Sequence, residues 1–164
     1  MATVMETLAS WIAQEGKLPV EDAIGWTVRV AKALEPIHLL GIAHGRMSAE
    51  AILIAGAGCE EDGAVVGTTE LSDAVAYHCP DRARGKEPSI ESDTWAVAII
   101  LYESLTGTRP FSADTDKQLL SEIGGVGPAP LSRFGVDRED LQRLLDRAFS
   151  LSRKLRLRNL RAFR

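Results

Sequence analysis

Apolar residues Met5, Leu8, Trp11 and Ile12 recur at spacings of three and four, the stripe of a short helix over 5–15 that Gly16 ends. Pro19, followed by Glu21 and Asp22, marks the next helix start: proline in the first turn forfeits no hydrogen bond, and acids favour the positive end of the helix dipole. From there Ala23, Thr27, Val30, Leu34 and Ile37 line one face until Gly41, and Pro36 inside the last turn predicts a kink or early fraying. Two short β-branched runs, 52–54 and 64–66, flank a glycine-rich loop and predict a small hairpin. Residues 67–91 keep no period and predict a long irregular segment. Residues 92–106 then place Trp95, Val97, Ile99, Ile100, Leu101, Tyr102 and Leu105 on every side of the helical wheel. A helix apolar all round is buried all round. Glu91 or Ser92 is the expected start and Gly107 the expected stop. A loop around Pro110 and Phe111, a helix over 115–123, a breaker-rich stretch from Gly124 to Pro130, and helices over 137–149 and 155–164 complete a mainly α chain.

The chain has 164 residues, 45% hydrophobic and 26% charged, enough to bury a core as one domain over 1–164. No run approaches the 18 or so apolar residues of a spanning helix, and the start lacks the basic-then-apolar order of a signal peptide, so a cytoplasmic location is expected. Cys59 and Cys79 have no close metal-ligand spacing and make a poor disulfide framework; both read as ordinary thiols, and no metal or cofactor is expected. The net charge of −4 hides an asymmetry, because six of the 19 Lys and Arg fall within 153–164 with no acid among them. With Leu155, Leu157, Leu160 and Phe163 interleaved, this basic tail predicts an amphipathic closing helix more than a nucleic-acid or membrane contact.

The order of elements and four local sequences resemble the C-terminal lobe of a protein kinase. "IHLLGIAHGRMSAEAILI" (37–54) resembles the stretch through the family's catalytic loop; "YHCPD" (77–81) resembles the Ala-Pro-Glu segment; "SDTWAVAIILYESLTGTRPF" (92–111) resembles the central helix; and Arg156 stands where the family has an arginine that pairs with the Ala-Pro-Glu glutamate. The resemblance implies a kinase C-lobe-like helical domain with a small hairpin and no N-lobe. It also implies structural roles: His44 packed in the core, Asp93 binding backbone N–H groups of the catalytic loop, and Asp81 paired with Arg156.

The same alignment places Arg46 at the catalytic aspartate, Ser48 at the lysine two residues on, and Ala51 at the magnesium-binding asparagine, while "GTTELSD" after the hairpin offers no Asp-Phe-Gly. Arginine accepts no proton and a methyl group binds no metal, so phosphoryl transfer lacks its parts at these positions. The expectation is therefore a pseudokinase-like, non-enzymatic module of bacterial type that acts as an interaction, scaffold or regulatory domain. It would dock a protein partner or a second copy through a face that includes Met5, Leu8, Trp11 and Ile12, residues that a plain helix stripe would instead pack on the helix over 20–41. The alternative is a nucleotide or phosphoryl-ligand sensor without phosphotransfer, with Arg46 supplying charge and Leu53 standing where the family packs a side chain beneath adenine. ATP is not an expected ligand under the first reading, and nucleic acid is not an expected partner.

Overall fold

A computed structural model of the chain describes residues 6–54, the backbone of 64–66, and residues 74–164. The first helix, α1 (Leu8–Glu15), is preceded by a short strand, β1 (Glu6–Thr7), and opened by a reciprocal cap between Thr7 and Ser10. Helix α2 (Val20–Leu39) runs on through Pro36, and three main-chain bonds close its end, among them Gly41 N to His38 O at 3.0 Å. Strands β2 (Ile52–Ile54) and β3 (Ala64–Val66) pair antiparallel with Leu53 opposite Val65, as the hairpin reading requires. Thr7 pairs with Leu53 from the other side, so the hairpin is widened to a three-stranded sheet in the order β1-β2-β3.

Between the sheet and the central helix lie a turn at Val75–Tyr77 and the short helix α3 (Pro80–Ala83), where the sequence predicts only irregular chain. Pro80 in the first turn nucleates α3 without losing a bond. Helix α4 (Ile90–Thr106) begins two residues earlier than predicted, because Ser89 is the cap: Ser92 N donates to Ser89 Oγ at 3.1 Å and Ser89 N to Ser92 Oγ at 2.8 Å. All but three of its 17 residues are buried. Its polar members do not break that environment, since the hydroxyls of Thr94, Ser104 and Thr106 each donate to a carbonyl four residues back.

Gly107 ends α4 at φ 77°, and a methyl group there would lie 1.7 Å from the carbonyl oxygen of Gly16. That contact seats the loop after α1 against the end of α4. Helices α5 (Asp116–Gly124) and α6 (Glu139–Ala148) follow. Around Trp95 the rings of Phe111 (stacked, 5.9 Å) and Phe149 (edge-on, 5.3 Å) fill the space between α4 and the chain after α6.

Two expectations are corrected here. The closing helix over 155–164 is absent: the chain makes tight turns and ends in a single 3-10 turn, Leu160–Phe163. Four cations without an acid give such a segment no stabilising i,i+4 pair, and Leu157, Leu160 and Phe163 are buried while Leu155 is exposed, so tertiary anchors win over helical period. The described part of the stripe expected to dock a partner faces inward: Leu8 and Ile12 are buried, and half-buried Trp11 packs edge-on against Trp26 with centroids 6.1 Å apart. Met5, like Cys59, lies outside the described residues.

Candidate functional site

The end of α2 delivers the chain into the loop 43–48, whose path is fixed from beneath by one carboxylate. Asp93, in the first turn of α4, accepts from His44 N at 2.7 Å, from Gly45 N at 2.8 Å, and faces His38 Nε2 at 2.8 Å. Its side chain is 1% exposed. A carboxylate taken out of water is tolerated only when its lone pairs are met, and three donors from two separate segments meet them. Gly45 completes the arrangement: its φ is 82°, and a Cβ would stand 2.9 Å from Pro88 Cβ, so both conformation and space exclude a side chain.

The three positions where resemblance puts the family's chemistry have different surroundings. Arg46 is exposed, and its main-chain N–H points at His44 Nδ1 at 3.3 Å. Ser48 is buried and accepts from Ala51 N at 3.3 Å, which caps a 3-10 turn over Ala49–Ala51. Ala51 is itself buried, at the end of that turn and immediately before β2. Leu53 is half-buried in the middle strand. His44 is half-buried rather than enclosed, because its main-chain amide, not its ring, is what Asp93 holds.

Asp81 is the hub of a second cluster. Its carboxylate lies 3.0 Å from Lys86 Nζ, 3.7 Å from Arg153 Nε and 3.8 Å from Arg156 Nη1. The Lys86 hydrogen bond, assisted by the charge of Arg153, holds its pKa below the usual carboxylate value. Arg156 is buried over the face of Trp95 at 5.3 Å, and donates to the carbonyls of Ser150 (2.8 Å) and Leu151 (3.1 Å). Its bonds to the main chain are thus shorter than its approach to Asp81.

Sequence reasoning missed three participants. His38 is the polar exception among Ile37, Leu39 and Leu40 at the end of α2, a signal that a partner awaited it. Gly45 carried no local sign beyond being glycine. Tyr77 donates to Glu103 at 2.5 Å across the gap between the turn 75–77 and α4. Burial raises the pKa of the Glu103 carboxyl against the opposing hydrogen bond from Tyr77, and burial and the Glu103 charge together raise that of the Tyr77 hydroxyl. Gly45, Arg46, Tyr77, His78, Arg82 and Asp93 border one small cavity of about 20 Å³. Among the described residues no group of three or more His, Cys, Asp or Glu could hold a metal ion, and no helix is long and apolar enough to cross a membrane.

A sequence model described as the protein kinase domain matches residues 1–157. A probable serine/threonine-protein kinase of Clostridium perfringens is 31% identical over 121 residues, which is 67% of this chain and 18% of that protein. The serine/threonine-protein kinase PknD of Mycobacterium tuberculosis is 29% identical over 135 residues, 76% of this chain and 20% of that protein. The chain thus spans about a fifth of the length of these relatives. These matches overturn the expectation of a non-enzyme: the proteins it resembles are named serine/threonine-protein kinases, and the domain matched is the kinase domain itself.

Proposed function

The chain belongs to the protein kinase family, and from that premise we propose that residues 1–164 form one C-lobe-like domain that serves a cytoplasmic serine/threonine-kinase-type protein as a protein-docking and regulatory platform. Any phosphoryl transfer in which it takes part draws its base from a group other than Arg46, which accepts no proton, and its metal ligands from groups other than Ala51, which carries no ligand atom.

The observation that carries the docking role is the turn after α2. Leu39 is 78% exposed, Leu40 75% and Ile42 54%, three large apolar side chains in near succession beside the Asp93-held loop. Single exposed leucines need no explanation, but a contiguous group does. Leu39 also borders a groove with about 280 Å³ of free volume, shared with Ala31, Ile90 and Leu160, which is room for one or two apolar side chains of a protein segment. The docking face moves accordingly from the α1 stripe, which faces inward, to the end of α2.

A photo-reactive side chain at position 40 tests this in lysate. The expected outcome is a covalent adduct with one protein partner, or with a second copy, that disappears when Leu39→Ser and Ile42→Ser are added. Labelling no stronger than from the exposed position 132 would sink the reading.

The second reading, a sensor of a phosphoryl ligand, draws on the cavity bordered by Arg46, His78 and Arg82. Its free volume of about 20 Å³ holds a single water, so a nucleotide requires the site to open. Thermal-shift titration with inorganic phosphate and with ATP separates the two readings, because a ligand of the folded state raises the melting temperature. No shift with either at millimolar concentration removes the sensor.

A further inference from the structure

The basic tail did not become a helix, and the shape it took instead carries an inference. Between Ser150 and Arg156 the chain makes a tight turn, closed by Leu155 N and Arg156 N, which both donate to Ser152 O at 3.0 Å. The buried Arg156 guanidinium staples this turn from below through the carbonyls of Ser150 and Leu151. Held this way, the turn leaves Leu151 57% and Leu155 64% exposed, with Arg153 and Lys154 between them also exposed.

Asp81 draws a second basic segment to the same place, since Lys86 and Arg153 both contact its carboxylate. Arg84, Lys86, Arg153, Lys154 and Arg158 are all exposed, against an exposed Glu87 and the partly covered Asp81 and Glu91, of which Glu91 lies 3.3 Å from Arg153 Nη2. On a chain of net charge −4 this is a local excess of cations with two leucines set among them.

We propose that the turn 150–156, together with the 84–86 segment, is a peripheral docking surface for an anionic lipid bilayer: Leu151 and Leu155 enter the headgroup boundary while Arg84, Lys86, Lys154 and Arg158 meet lipid phosphates. Long basic side chains can keep their charge at the headgroups while neighbouring apolar side chains go deeper. A nucleic acid would gain charge neutralisation here but no stacking, because the exposed apolar residues of the turn are leucines and not aromatic rings. The site shares no residue with the exposed group at the end of α2, and it requires no spanning helix.

The test is co-sedimentation of the purified protein with vesicles of phosphatidylcholine alone and with about one quarter phosphatidylglycerol. Partition is expected to favour the anionic vesicles by at least about tenfold and to fall as salt rises. The pair Leu151→Ser/Leu155→Ser is expected to lower it about tenfold with unchanged melting temperature, and Lys154→Glu to lower it further towards the phosphatidylcholine level. The pair Leu39→Ser/Leu40→Ser should leave it unchanged, which keeps this outcome separate from the fate of the protein-docking site. Equal partition to both vesicles would overturn the proposal. So would full binding by the Leu151/Leu155 pair, or displacement from vesicles by polyuridylate or polyglutamate at equal charge concentration, which would mark a nucleic-acid or an acidic-protein surface instead.

Discussion

The two faces of the loop 43–48 are built in opposite ways. On the inner face, main-chain amides of His44 and Gly45 and the ring of His38 converge on a buried carboxylate, and glycine is the residue that conformation and Pro88 together admit. On the outer face Arg46 is exposed, as are Leu39, Leu40 and Ile42 in the turn just before the loop. The inner face resembles what holds a kinase lobe together, and the outer face departs from what the resemblance implies for its chemistry. Stability and function are therefore separable across a few ångströms of chain, and substitutions on the two faces should have effects of different size and kind.

The largest effect belongs to the inner face. Asp93→Ala removes the buried acceptor of two half-buried amides and of His38 and is expected to cost about 3–5 kcal/mol in urea unfolding. Gly45→Ala, which combines a left-handed backbone with contact against Pro88, should cost about 2 kcal/mol by the same measurement. An undiminished midpoint for either variant would break the contrast.

A smaller effect, with a defined pH dependence, is expected at Asp81. Its pKa is lowered in the folded state, so the carboxylate contributes stability above its ordinary value near 3.8, and that contribution is lost as pH falls through the folded value. Asp81→Asn should therefore be less stable than the parent near neutrality, and the gap between the two should close in melts as pH falls through the lowered folded value. A gap that persists in acid would mean the ion pairs are not its source. Smallest of all, Leu39→Ser/Ile42→Ser should change stability by no more than about 0.5 kcal/mol while abolishing the adduct formed from position 40.

How much of this the sequence disclosed depends on where each element's partners lie. Helix α4 was legible because its apolar residues occupy the whole wheel, a pattern that leaves burial as the sole outcome, and its hairpin neighbours were legible from β-branched runs around a glycine-rich loop. The tail was misread because its leucines and cations fit a helical period, whereas its path is decided by Arg156 reaching the carbonyls of Ser150 and Leu151 and by Leu160 and Phe163 burying apart from Leu155. The α1 stripe stays open between docking and packing for a related reason: periodicity says that Leu8 and Ile12 share a face but not that β1, β2 and the turn Ala49–Ala51 lie against α1. His38 and Gly45 escaped notice because their partners, Asp93 and Pro88, lie more than 40 residues away in sequence. Non-local contacts of that kind leave no periodic trace.

Asp93 fixes the loop from inside while the apolar side chains beside it remain available. The most direct measurement is native-state hydrogen exchange at the main-chain amides of His44 and Gly45. Both should exchange only through global unfolding in the parent and in Leu39→Ser/Leu40→Ser, and should lose that protection in Asp93→Asn under conditions where the rest of α4 stays protected. Exchange of these two amides at the rate of an exposed loop in the parent, or loss of their protection on replacing the leucines, would contradict the account.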